Sequence, residues 1–253
     1  LSPTLTSDGI YEGQDFVHIA AQSKALGCPA PFWFTGYSLG GQLALWGIHY
    51  GQRAETLDTS PAITSAEISG GAVICPSLDS EKSLRYLINH PLGRYLEQAI
   101  AAKLQDLAES IHQAHPQALD PAAIARAHSI WTFDEELVIG PLGFDSVPAY
   151  YAASSPLPLL PQLQKPTLML YAQDDPLFAP ELVTAVERAC ADNDAIDLHL
   201  TPRGGHVGNF SGRRGQAMAA DSDPWWAWIR VLEWVEAQPH PSQTQAEASL
   251  ATP

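Results

Sequence analysis

Ser38 stands in Gly36-Tyr37-Ser38-Leu39-Gly40-Gly41, a G-x-S-x-G motif that frames one hydroxyl with glycines. A serine hydroxyl is a weak nucleophile. It attacks a carbonyl only when a base takes its proton and a carboxylate orients that base. The chain offers both partners further on. Asp175 lies in Gln173-Asp174-Asp175-Pro176-Leu177, and His206 lies in Arg203-Gly204-Gly205-His206-Val207-Gly208. Serine, acid and histidine in this order suit acyl transfer: His206 as base, Asp175 holding the imidazole tautomer, and the Leu39 N–H donating to the oxyanion. Two rivals exist for the acid. Asp174 is adjacent to Asp175, and Asp79 follows an earlier strand.

These residues need elements to position them. The apolar run from Phe32 to Thr35 reads as a strand, and Leu39 to Tyr50 as a helix, so Ser38 falls on a sharp strand-to-helix turn. In this reading Gly36 and Gly40 remove side chains that would strike the neighbouring strand and helix. Ile68 to Cys75 predicts a buried strand, and Pro166 to Tyr171 and Ile196 to Leu200 predict two more, each ending shortly before a candidate site residue. Helices are expected over Gln14 to Leu26, closed by Gly27, and over Pro180 to Cys190. Strands alternating with helices imply a parallel sheet, whose ligands bind beyond the carboxyl ends of the strands. Asp175 and His206 both fall there, and Gly204 and Gly205 give the backbone freedom to bring His206 to Ser38.

Residues 80–151 differ. Leu84, Leu87, Ile88, Leu92, Leu96, Ile100, Leu104, Leu107 and Ile111 recur at helical intervals, Pro91 divides or kinks the run, and Asp120-Pro121 opens another helix. The length of this insert favours a helical cap over ordinary crossovers. His112 and His115 are expected on its surface. Trp131, Phe133, Tyr150 and Tyr151 fit either an apolar acyl pocket or cap packing. The closing helix, Pro224 to Ala237, carries Trp225, Trp226, Trp228 and Trp234, which read as core. The expected organisation is a core over 1–79 and 152–237, a cap over 80–151 and a disordered, Pro-, Ser- and Gln-rich tail over 238–253.

The chain has 253 residues, enough for one α/β domain. Its formal charge of -15 argues against a nucleic-acid partner, which needs a basic surface. Cys28, Cys75 and Cys190 are widely spaced and suit free thiols in a cytoplasmic protein; no metal-ligand spacing and no cofactor motif is present. No apolar run is long enough to span a bilayer. Only 37 residues precede Ser38, and the chain begins at Leu1, so it reads as lacking the first strands of its fold and the loop that would supply a second oxyanion donor. Membrane association through a missing N-terminal part stays open.

The elbow, then Trp131-Thr132-Phe133-Asp134, Gly143-Phe144-Asp145, Tyr150-Tyr151, Lys165-Pro166-Thr167-Leu168, Asp174-Asp175-Pro176 and Gly204-Gly205-His206-Val207-Gly208 together resemble the YheT-like branch of the α/β-hydrolases. That branch includes plant embryogenesis-associated proteins and animal abhydrolase-domain lipases. The resemblance covers nearly all of residues 10–237. It implies an α/β-hydrolase fold with a helical cap, and a serine hydrolase acting on small-molecule or lipid carboxylic esters, with Ser38 as nucleophile, Asp175 as acid and His206 as base. Gln42 departs from the pattern, which commonly has the shorter Asn. A thioesterase, an acyltransferase or a phospholipase could use the same three residues. A non-catalytic binding protein of this fold is the reading from another class.

Overall fold

The protein is described by a computed structural model over residues 4–239. Four strands form one parallel sheet in the order β1 (Phe32–Tyr37), β2 (Ile68–Ile74), β3 (Thr167–Ala172) and β4 (Ile196–Thr201). Registers run Tyr37 to Ile74, Ile74 to Leu170 and Ala172 to Thr201, so the carboxyl ends of all four strands finish at one edge. β3 is buried at every residue, as a central strand covered on both faces must be, whereas β1 and β4 at the margins are mostly half-buried or exposed, with one buried residue each.

Helices α1 (Glu12–Ala25) and α2 (Leu39–Gly51) pack on each other and α2 packs on the sheet. Leu45 and Ile48 of α2 reach the core made by Ile68, Val73, Leu168 and Met169. The helical run predicted after β2 resolves into α3 (Ser80–Asn89), α4 (Pro91–Ala114), α5 (Pro121–Arg126), α6 (Ile130–Phe133), α7 (Ile139–Leu142) and α8 (Val147–Ser154). Pro91 does not kink a continuous helix. It starts α4 at its first turn, where a missing N–H costs nothing. Asp120 caps α5 by accepting from the Ala122 N–H at 3.0 Å. A π-helical turn, Asp134–Val138, separates α6 from α7. These helices hold a second apolar cluster around Leu84, Ala108, Ile124, Phe133, Leu137 and Tyr150, distinct from the core of the sheet.

After β3 come α9 (Glu181–Cys190), β4, α10 (Arg213–Ala219) and α11 (Trp226–Glu236). The expectation that all four tryptophans near α11 are core is corrected here. Trp226 and Trp234 pack against the sheet core, but Trp225 and Trp228 are 52% and 38% exposed. Ala227 and Val231 define the inward face of α11, so residue 228 projects toward its flank, and Trp225 precedes the helix and packs at a tilt against Phe210, ring centroids 4.6 Å apart. His112 is half-buried, its Nδ1 3.0 Å from the Leu119 carbonyl, and is no plain surface residue. Segment 240–253, the bulk of the predicted tail, lies outside the described residues. No described helix is long and apolar enough to cross a membrane.

Candidate active site

Ser38 leaves β1 with φ 53° and ψ -122°, a conformation an L-residue adopts only when its surroundings impose it. The surroundings do so. The Ser38 N–H donates to the Ile74 carbonyl at 3.1 Å, and its own carbonyl accepts from Gln42 at 3.0 Å and Ser77 at 3.2 Å. The turn is thus strapped both to α2 and to the loop after β2. A methyl group at Gly36 would be driven into the Gly40 carbonyl, so the close packing of strand and helix demands glycine there. Gly40 does not share that role: a side chain would meet open space. The second close approach belongs to Gly41, where an added Cβ would lie 3.0 Å from Pro76. Because the first bond of α2 closes at Gln42, the N–H groups of Leu39, Gly40 and Gly41 have no carbonyl in a preceding turn. They give the space above Ser38 a positive helix end.

Asp175 and His206 meet Ser38 at the carboxyl edge of the sheet. His206 Nε2 is 2.7 Å from Ser38 Oγ, and His206 Nδ1 is 2.8 Å from Asp175 Oδ2. The other oxygen, Asp175 Oδ1, accepts from the Leu177 N–H at 2.9 Å, and the Asp175 side chain is almost fully buried. A carboxylate held at both oxygens fixes the imidazole tautomer with Nδ1–H donating, which leaves Nε2 as the acceptor facing the serine hydroxyl. Phe178 packs edge-on against the ring at 5.1 Å.

Both rivals for the acid are engaged elsewhere. Asp79 caps α3, accepting from the Lys82 N–H at 3.0 Å and pairing with the Lys82 ammonium at 2.9 Å. Asp174 Oδ1 accepts from the Gly204 and Gly205 N–H groups at 2.8 and 2.9 Å. This role was missed in the sequence. Two adjacent glycine N–H groups in a loop need an acceptor, and the neighbouring aspartate supplies one. Gly205 has φ 63°, and Asn209, whose N–H donates to the Gly204 carbonyl at 2.9 Å, closes the same loop. Cys75 lies beneath it, with its thiol 3.6 Å from the Gly205 carbonyl; burial pushes that thiol up to about 12, so it stays protonated. Cys28, Cys75 and Cys190 are all free thiols.

A cavity of about 250 Å³ opens beside Ser38 and Leu39. Leu84, Leu87, Ile100, Leu104, Ile130 and Phe133, from α3 to α6, form most of its apolar wall, with Leu177 and Phe178 from the segment after β3. Phe133 therefore both packs within the second cluster and faces the cavity. Tyr151 also lines it, Trp131 packs edge-on to Tyr151 at 6.1 Å, and Tyr150 is buried in the second cluster.

Two carboxyl groups, Asp8 and Asp134, line the same cavity. Asp134 Oδ2 accepts from the Tyr151 hydroxyl. Burial, and then the charge of Asp8, raise Asp134 to about 7. Its folded value lies above that of an unfolded aspartate, so the folded protein keeps a proton that the unfolded chain has lost between about pH 4 and pH 7. Stability from this group therefore falls as pH rises through that window. Asp134→Asn keeps an acceptor for Tyr151 and removes the buried charge. It is expected to raise stability at pH 8 by about 2 kcal/mol, or roughly 4–8 °C in Tm, with little gain at pH 4. Thermal unfolding of both forms at the two pH values checks this.

No family model matches the chain. It is similar to "Putative esterase slr0264" of Synechocystis sp., 52% identical over 240 residues, which are 93% of this chain and 65% of that protein. It is 28% identical to human "Phospholipase ABHD3" over 185 residues, 72% of this chain and 42% of that protein. Over 191 residues it is 29% identical to "Putative esterase YheT" of Escherichia coli, 72% of this chain and half of that protein. The chain thus spans between about two fifths and just under two thirds of the length of these relatives. The likeness to the Synechocystis esterase runs through nearly the whole chain, and the parallel sheet presents Ser38 on a strained turn into α2: the chain has the α/β-hydrolase fold.

Proposed function

We propose that the protein is a serine hydrolase of carboxylic esters, working through an acyl-enzyme on Ser38. One observation carries the reading: Ser38 Oγ, His206 and Asp175 form a continuous line of hydrogen bonds at 2.7 and 2.8 Å, on a turn that holds the serine at positive φ. His206 Nε2 takes the hydroxyl proton as Oγ bonds to the ester carbonyl carbon. The carbonyl electron pair moves to oxygen, where the Leu39 N–H donates to it. Collapse expels the alkoxide, which receives the proton from His206. Water, deprotonated by the same base, then releases the acid and restores Ser38. Asp175, bonded to His206 Nδ1, stabilises the imidazolium.

Residues 80–151 act in this reading as a cap that supplies the acyl-binding wall. The apolar lining of the cavity, and the names of relatives such as the phospholipase, favour lipid esters as a second reading of the substrate. Burst kinetics with p-nitrophenyl esters test the mechanism. One equivalent of p-nitrophenol released before steady turnover supports the acyl-enzyme, and steady hydrolysis that persists unchanged in Ser38→Ala contradicts it.

Asp174 is a positioning residue, since it acts through the loop bearing His206. Asp174→Ala is expected to lower kcat about tenfold with little change in KM, and Asp174→Asn, which keeps the acceptor, should restore most of it. Equal losses in both variants would count against the backbone bonds as the cause.

A further inference from the structure

Besides the hydroxyls of Thr6, Ser77, Ser80, Ser83 and Tyr151, the polar lining of the cavity beside Ser38 consists of Gln42, Asp8 and Asp134. Gln42 is fully buried and lines the cavity. Its Nε2 donates to the Asp8 and Ser154 carbonyls at 2.8 and 3.2 Å. Two carbonyl partners on one side fix the orientation of the amide, because the reverse would set oxygen against oxygen. Gln42 Oε1 is then a buried acceptor with no donor among the described residues. Asp134 is 8% exposed, and its Oδ2 accepts from the Tyr151 hydroxyl. Asp8 is the third acceptor on this wall. No lysine, arginine or histidine lines the cavity.

An unpaired buried amide oxygen and two carboxyl groups with no cationic side chain lining the same cavity are unfavourable on their own. We infer that this wall receives a primary ammonium group, so that the esters bound beside Ser38 carry an amine on the part of the molecule that enters the cavity. This rests on the hydrolase reading for its placement next to the reacting serine. A primary ammonium has three N–H donors for the three acceptors, and its charge answers the two carboxyl groups. Burial, and then the charge of Glu12, raise Asp8 to about 6 against a lowering hydrogen bond from Tyr150, and burial, and then the charge of Asp8, raise Asp134 to about 7; a cation beside them would oppose both shifts. A quaternary ammonium has no N–H and would leave Gln42 Oε1 unpaired. An anionic group would meet like charge. The apolar wall from α3 to α6 accommodates the carbon chain.

The test is calorimetric titration of the protein at pH 8 with four six-carbon probes: hexylammonium, hexyltrimethylammonium, hexanol and hexanoate. Hexylammonium is expected to bind at least about tenfold more tightly than the other three, and Asp134→Asn to reduce its affinity about tenfold while leaving hexanol unchanged. Gln42→Leu should weaken hexylammonium in the same sense. Equal binding of hexanol or hexyltrimethylammonium, tightest binding of hexanoate, absent ammonium binding, or an Asp134→Asn variant with full affinity would each overturn the inference. Hydrolysis of neutral p-nitrophenyl esters, measured alongside, separates the two claims. Ser38-dependent turnover without ammonium preference defeats this inference alone, whereas ammonium binding without any Ser38-dependent turnover defeats the hydrolase reading and leaves the binding site.

Discussion

His206→Ala is expected to lower kcat for a p-nitrophenyl ester by about 10⁴-fold or more, with KM within a few-fold of its original value. His206 Nε2 is the acceptor at 2.7 Å from Ser38 Oγ, and no histidine lines the adjoining cavity to replace it. Asp175→Asn should cost nearly as much, for a different reason. An amide presents a donor or an acceptor to His206 Nδ1, and it no longer holds the imidazole charge. In one orientation it reverses the tautomer and puts the proton on Nε2, facing Ser38. The pair of variants separates two accounts. A base oriented by a buried carboxylate predicts large losses in both. If Asp175→Asn retained most of its activity, Asp175 would be a structural anchor of the Leu177 turn, which its Oδ1 also supports.

Gly36→Ala is expected to disrupt the turn itself. The added methyl points at the Gly40 carbonyl, which is backbone at the start of α2 and has nowhere to retreat, since Gln42 and Ser77 both bond to the Ser38 carbonyl below it. A loss of at least about 3 kcal/mol is expected, roughly 6–12 °C in Tm for a chain of this size. Gly40→Ala is the control. Its added methyl meets open space within a helix, so its stability should be unchanged or slightly raised. Thermal unfolding of the two variants decides the matter, and equal losses would mean that the turn tolerates no side chain for some reason other than the contact at Gly36.

Much of this arrangement was legible in the sequence, because the chemistry and the periodicity agreed. Four apolar runs predicted the four strands, and Ser38, Asp175 and His206 each follow one of them; parallel pairing then brings the three to a single edge. What escaped depends on which side chains face each other across distant segments. The sequence could not place Asp8 against Asp134, residues far apart in the chain that meet only because the segment before α1 packs near the π-helical turn. The bonds from Asp174 to the glycines of the His206 loop escaped for the same reason. Gly40 shows a different failure. The spacing within G-x-S-x-G suggested symmetric roles for its glycines, yet only Gly36 faces backbone, and Gly41 takes the second close approach. In α11 the density of tryptophan suggested core, but the helical phase turns Trp228 outward and leaves Trp225 before the first turn.

The central claim is that Ser38 is an activated nucleophile, and covalent labelling with a fluorophosphonate, read by intact mass, tests it most directly. The account predicts one adduct per chain, mapped to the peptide containing Ser38, with none on folded Ser38→Ala and sharply slowed labelling of His206→Ala. A folded protein that never labels, or one that labels equally well as Ser38→Ala, would contradict it.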